Sequence, residues 1–246
     1  MRDFKFREID SDGWDTLDVI SEAYQFNEWM FDEIKKFCTG KVLEIGSGIG
    51  NISAKFIAAG YDITLSDIRE NYCTILREKF PARPVVQMDL THPGFDVEYA
   101  GHLSCYDSIF ALNVVEHIQD DSLAIANCFK LLKYGGSVVI LVPAFQELYN
   151  RIDAELEHYR RYNRSMLNGL LVQNNFRVAH SRYFNFMGIP GWYFSGKLQN
   201  NRTIPRWQMG IYNKLVPLFK IVDKCLFHTV GLSVISVGEK DRSTSL

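Results

Sequence analysis

The sequence predicts an α/β fold, with a doubly wound, mostly parallel seven-stranded sheet and helices on both of its faces. Three observations carry that prediction. Short, nearly continuous apolar runs alternate with helical stretches from residue 41 onward. Runs of this kind are strands buried on both faces, as in a parallel sheet covered by helices. The first run leads into a glycine-rich turn, Gly46-Ser47-Gly48-Ile49-Gly50, and that turn opens a helix.

The elements follow in order. Residues 14–38 read as a helical lead-in. Residues 42–45 form the first strand, and Asn51 to Ala59 the helix after it, stopped by Gly60. Residues 62–67 form the second strand, and Arg69 to Phe80 a helix that Pro81 ends. Residues 85–88 are the third strand, closing at Asp89, and 106–112 the fourth. A helix from Asp121 to Leu132 closes at Gly135-Gly136, and the very apolar strand 137–142 stops at Pro143. Asn163 reads as the cap of a helix from Arg164 to about Gln173, with Asn175 in the left-handed position that often ends helices. Residues 177–183 and 231–237 supply the last two strands. The organisation is one domain over 1–246: a helical cap (1–40), a core (41–183), an insertion (185–230) and a last strand (231–240).

Composition narrows the class. Of 246 residues, 47% are hydrophobic and 23% charged, the mix of a globular chain and not of a disordered one. A formal charge of −2 argues against a dedicated nucleic-acid binder. The start, Met1-Arg2-Asp3-Phe4-Lys5, is charged and not apolar, so no signal peptide is expected, and no run reaches the ~18 apolar residues of a spanning helix. Five cysteines are scattered without a C-x-x-C pair, which suits reduced thiols in a cytoplasmic protein. Six histidines lack ligand spacing, so no metal site is expected. The neutral total hides an asymmetry: residues 1–40 carry ten acids against five basic residues, and residues 197–224 six basic residues against Asp223.

The glycine turn points to a nucleoside. Glycines there permit the sharp turn and let backbone approach a ligand. Asp67 ends the next strand about 20 residues beyond Gly46, where an acid binds ribose hydroxyls in nucleotide folds. A dinucleotide enzyme prefers G-x-G-x-x-G, but Asn51 stands where the third glycine belongs and Glu44 precedes the turn.

With these residues the sequence resembles the class I (Rossmann-like) S-adenosylmethionine-dependent methyltransferases. The motifs that carry the resemblance are Val42-Leu43-Glu44-Ile45 with the glycine turn, Asp67, and Gln87-Met88-Asp89-Leu90. Tyr106-Asp107, Asn113-Val114-Val115-Glu116-His117-Ile118 and Leu131-Leu132-Lys133-Tyr134-Gly135-Gly136 continue it. The segment Glu157-His158-Tyr159-Arg160-Arg161-Tyr162 looks like one subgroup of that superfamily, with an HYRRY-type segment, often found beside glycan and lipid biosynthesis. The resemblance implies S-adenosyl-L-methionine as cofactor and S-adenosyl-L-homocysteine as product. Gly46, Ser47, Gly48 and Gly50 would pass under the methionine part, with Glu44 ordering the loop. Asp67 would hold the ribose, Ile68 pack on it, Asp89 accept from the adenine amino group, and Met88 and Leu90 sandwich the ring. Asn113 would bring backbone near the sulfonium.

Methyl transfer is an in-line displacement, and positioning alone can be worth ~7–11 kcal/mol. A neutral hydroxyl acceptor needs a base, for which His117 and His158 are the candidates. A carboxylate or phosphate acceptor needs none. Arg160 and Arg161 could grip an anionic acceptor, although on a helix adjacent residues diverge by about 100°. Tyr149 and Tyr159 would line the acceptor pocket.

The insertion is the unusual part. Ile211, Leu215, Leu218, Val222 and Cys225 recur at helical spacing, opposite Asn213, Pro217, Lys220 and Lys224. Such a helix can lie on an anionic bilayer, at the inner membrane surface, or pack on its own core as a lid or dimer contact. The expected function is methyl transfer to a small-molecule or lipid- or glycan-linked acceptor, oxygen first, without nucleic acid. A nicotinamide-dependent oxidoreductase and a non-catalytic cofactor-binding partner protein are the rival readings.

Overall fold

The computed structural model describes residues 11–199 and 201–241. The charged start and the extreme C-terminus lie outside the described residues. Ten helices and seven strands are assigned among them. The strands are β1 (Lys41–Ile45), β2 (Asp62–Asp67), β3 (Val85–Gln87), β4 (Tyr106–Leu112), β5 (Leu132–Pro143), β6 (Arg177–Phe184) and β7 (Ser233–Glu239). The helices are α1 (Ser11–Ser21), α2 (Tyr24–Ile34), α3 (Ser53–Ala58), α4 (Glu70–Lys79), α5 (Phe95–Glu98), α6 (Asp121–Leu131), α7 (Arg151–Glu155), α8 (Arg164–Gln173), α9 (Gly188–Tyr193) and α10 (Arg206–Cys225).

One sheet runs in the order β3-β2-β1-β4-β5-β7-β6. The pairs from β3 through β5 are parallel, and β7 is antiparallel to both β5 and β6. Side chains alternate faces along a strand, and here both faces are covered. Leu43, Ile109 and Val138 meet α6 and α8, whereas Val42, Phe110 and Val139 meet α2, α3 and α10. That double cover explains why the strands read as unbroken apolar runs. The chain order reverses between β1 and β4. At such a switch point the loops after the strands part and leave a crevice at the carboxyl edge.

Two packing results bear on the site. Helix α1 lies over the glycine turn: Leu17 sits 3.0 Å from where a Cβ on Gly48 would stand, and its carbonyl accepts from Asn51 Nδ2 at 3.1 Å. The acidic start and the basic insertion meet each other: Arg206 pairs with Asp18 and Glu22, and Lys220 with Asp32 at 3.4 Å.

Helix α10 corrects an expectation. Its buried face is Met209, Val216, Phe219 and Asp223, not the stripe read from the sequence. Trp207, Ile211, Leu215, Leu218 and Ile221 face outward. The helix is apolar on both sides, and the aromatic fit decides which side docks: Tyr212 meets Phe26 edge-on and packs against Phe219. Asp223 is buried because it accepts the N–H groups of Asn185 at 2.6 Å and Phe186 at 2.8 Å where the chain leaves β6. Among the described residues no helix is long and apolar enough to cross a membrane.

Candidate active site

The carboxyl ends of β1, β2 and β4 build one half of the site. Gly46, Gly48 and Gly50 have φ of +70°, +52° and +87°, values that L side chains rarely adopt. A Cβ on Gly46 would collide with Val114, so the turn lies directly against the segment after β4. Asp67 at the end of β2 is buried. Its Oδ2 accepts from Gly48 N–H at 2.9 Å and its Oδ1 from Arg69 N–H at 3.0 Å. Burial raises its pKa, and those two backbone donors oppose the rise. Glu44 points beneath the turn, where it accepts from Ser53 Oγ in the first turn of α3. Burial pushes its carboxyl up to about 8. Ser47 Oγ accepts from the N–H of Ser66, joining turn to β2. Glu44 and Ser47 therefore order the loop from within.

The adenine side differs from the sequence expectation. Met88 and Leu90 are packed in the core with Phe95 and Tyr99 and present no open face for a sandwich. The cause is the short turn after β3: it folds α5 back over both side chains. Asp89 spends one oxygen on Thr91, accepting from its N–H at 2.8 Å and its hydroxyl at 2.9 Å. Ile68 is half-buried, and its carbonyl accepts from Gln87. Trp14 of α1 stacks on Tyr72 at 6.2 Å, closing the outer side. A cleft of about 320 Å³ behind the turn, lined by Tyr24, Lys55, Lys79 and Phe80, includes Gly50 alone of the predicted cofactor residues.

The segments after β4 and β5 build the other half. Asn113 is exposed at the end of β4 with φ +53°, a left-handed residue at a strand end. Phe145 and Glu157 are left-handed too, at +64° and +60°. Such conformations are costly for residues with side chains and gather at functional sites. Tyr159 N–H donates to Glu116 O at 2.9 Å and seats the strand-like stretch 158–162 against the turn after β4. His117 and His158, far apart in the chain, meet edge-on with ring centroids 4.5 Å apart. Glu116, His117 and His158 each offer a ligand atom within 4.8 Å of the others.

Each member of this cluster is held. Asp153 of α7, fully buried, accepts from His158 Nδ1 at 2.9 Å and from Arg161 Nε at 2.8 Å. Burial alone would raise the Asp153 pKa, but His158 and Arg161 hold it below the usual carboxylate range. Glu116 is fully buried, which pushes its pKa up to about 7 against the pull of His158 and Arg161. His117 keeps exposed surface although neighbouring residues crowd its ring. That crowding, with His158 and Arg69 near it, lowers its pKa.

The arginines correct another expectation. The HYRRY stretch is extended, not helical, and both guanidiniums have internal partners. Arg160 donates to Asp121 at 2.6 Å and Gln119 O at 2.7 Å. Arg161 is 1% exposed, bound to Asp153 and to Ala144 O, and stacked 4.7 Å from Trp192. Arg161 is enclosed, whereas Arg160 stays half-exposed. Tyr149 donates to His158 O at 2.8 Å, and Tyr159 is exposed at the rim. Sequence reasoning assigned no role to Glu116 or Asp153. Glu116 stood inside a motif already in view; Asp153 gave no signal short of the fold itself.

The comparisons with known proteins agree with this geometry. Residues 43–138 match the model of a family described as a methyltransferase domain. The chain has the class I methyltransferase fold, and its residues 43–138 match that methyltransferase domain. Its cofactor is S-adenosylmethionine, and the residues present fit that molecule. The turn is kept clear of Cβ atoms, and the Asp67 carboxylate keeps lone-pair capacity beyond its backbone bonds. Among curated proteins, this chain is 28% identical over 138 residues to a ubiquinone biosynthesis O-methyltransferase of Aromatoleum aromaticum, covering 54% of this chain and 58% of that one. It is 25% identical over 187 residues to an uncharacterized methyltransferase of Bacillus mycoides, covering 68% and 84%. The chain thus spans little more than half of the first relative's length. Among solved structures, a SAM-dependent methyltransferase of Archaeoglobus fulgidus superposes with TM-score 0.55 at 17% identity, covering 87% of this chain and 94% of that one. A Haloferax volcanii complex of a methyltransferase with the Trm112 activator gives TM-score 0.64 at 12% identity, covering 95% and 96%. These two show the fold.

Proposed function

We propose that this chain moves the methyl group of S-adenosylmethionine to an oxygen of a small-molecule or lipid- or glycan-linked acceptor. The observation that carries the reading is the cluster Glu116, His117 and His158, set beside the glycine turn on the same sheet edge. The cofactor supplies an electrophilic methyl carbon on a sulfonium. The Gly46–Gly50 turn and Asp67 orient it, and Asn113 and Val114 bound the space where the methyl would point. His117, the accessible member of the cluster, faces the acceptor's hydroxyl. His158, fixed by Asp153, stands behind it. The cluster supplies the deprotonation that a neutral oxygen acceptor requires.

Oxygen is favoured by the likeness to the ubiquinone biosynthesis O-methyltransferase of Aromatoleum aromaticum. A lipid- or glycan-linked acceptor fits the outward apolar stripe of α10 and the exposed Tyr193, Phe194 and Leu198 beside α7. Peripheral contact of residues 185–230 with a bilayer belongs to the same reading, and vesicle flotation with the insertion intact tests it. Methyl transfer from labelled S-adenosylmethionine into an extract of the source cells, followed by separation of organic, small-molecule, protein and nucleic-acid fractions, tests the whole. Label is expected in the organic or small-molecule fraction. Cofactor binding with no label anywhere turns the reading toward a non-catalytic partner, and preferential nicotinamide binding turns it toward an oxidoreductase.

A further inference from the structure

We propose that Glu116, His117 and His158 form a binding site for one divalent transition-metal ion. Three independent features point to it. First, the donor atoms converge: one from each residue lies within 4.8 Å of the other two, although the residues come from the turn after β4 and the stretch after α7. Second, Glu116 is 0% exposed and neither carboxylate oxygen has a hydrogen-bond partner among the described residues. A buried carboxylate without donors is expensive unless a cation or a proton neutralises it. The nearby Arg161 attracts the carboxylate electrostatically but makes no hydrogen bond to it, giving Nε to Asp153 and Nη1 to Ala144 O. Third, the supporting shell is of the kind metal sites use. Asp153 accepts from His158 Nδ1 at 2.9 Å, which leaves Nε2 as the free nitrogen of that ring. A carboxylate behind a ligating histidine fixes its tautomer and direction.

The donor set is two imidazoles and one carboxylate. That chemistry suits zinc, iron, cobalt or nickel better than magnesium or calcium, which prefer all-oxygen shells. Three protein ligands leave coordination positions open, and exposed His117 marks the side from which an acceptor would enter. The catalytic consequence rests on the oxygen-acceptor reading above. An acceptor oxygen on the cation has a more acidic O–H. With the cation bound the cluster promotes deprotonation through the metal and not as a free base: the proton passes to solvent, the O–CH3 bond forms as the S–CH3 bond breaks, and the sulfonium ends as a thioether with no change of redox state.

The test is Co²⁺ titration of the chelator-treated full chain, followed by visible absorption and calorimetry, with S-adenosylhomocysteine binding measured in parallel. The expected result is one Co²⁺ per chain and at least tenfold weaker Co²⁺ binding in Glu116→Gln. In that variant S-adenosylhomocysteine binding stays within twofold. Asp153→Asn weakens Co²⁺ binding without removing a ligand. Should Glu116→Gln fail to fold, His117→Ala, whose ring is accessible, serves in its place. No Co²⁺ binding by folded wild-type chain overturns the proposal, as does equal binding in wild type and variants. Co²⁺ binding that follows the expected pattern, in a chain that methylates nothing, upholds the site while refuting the methyl-transfer reading.

Discussion

Asp67 is oriented by the fold itself. Gly48 and Arg69 fix its carboxylate through backbone N–H groups, and lone-pair capacity remains for a ribose hydroxyl. Asp67→Ala therefore removes both the ligand contact and the tie between β2 and the glycine turn. It is expected to weaken S-adenosylmethionine binding at least tenfold, ~1.4 kcal/mol, measured by calorimetry. Unchanged affinity would place the ribose elsewhere. Asp67 and the glycines were legible because their chemistry is local: a strand end, a turn and a spacing. The Asp153 support of His158 was not. Asp153 lies in α7 and His158 just beyond it, and the left-handed turn at Glu157 lies between them. The two arginines show the same limit, since a guanidinium's partner depends on which element it meets.

Helix α10 shows what periodicity reveals and what it leaves open. Spacing identified a helix and an apolar stripe, but both sides of α10 carry apolar residues, and the sequence holds no sign of which docks. The structure settles this with Phe219 and Val216 inside and Leu218 outside. The two neighbours should then respond oppositely. Phe219→Ala is expected to cost about 3–5 kcal/mol, the loss typical of a large buried aromatic. Leu218→Ala should fall within about 0.5 kcal/mol of wild type. Urea unfolding of both variants checks the pair, and a large loss from Leu218→Ala alone would mean that the outward face is covered in solution. Pro217 does not end the helix, which continues to Cys225.

Over the whole molecule, the parallel half of the sheet was legible because burial on both faces writes unbroken apolar runs. The position of β7 between β5 and β6 was not, since strand order is fixed by how helices cross and not by local pattern. That assembly buries Glu44 in the inner strand β1, directly under the cofactor turn, and the burial has a consequence for global stability. The Glu44 carboxyl has an ordinary value of 4.5 and sits near 8 in the folded chain, mainly through burial. Below 4.5 it is protonated in both the folded and unfolded states and contributes no pH dependence. Between 4.5 and 8 the unfolded chain releases the proton and the folded chain keeps it. The unfolded state then binds fewer protons, so stability falls as pH rises, by roughly 1.4 kcal/mol for each pH unit crossed inside that window. Glu44→Gln keeps the shape and can still accept from Ser53, but it cannot ionise. The variant's melting temperature relative to wild type should therefore rise from pH 5 to pH 8 and level off above, with little change below pH 4.5. A difference that stays flat across that range would show that Glu44 is ionised in the folded chain. Its charge would then have to be balanced by a donor beneath the turn beyond Ser53 and Ser47.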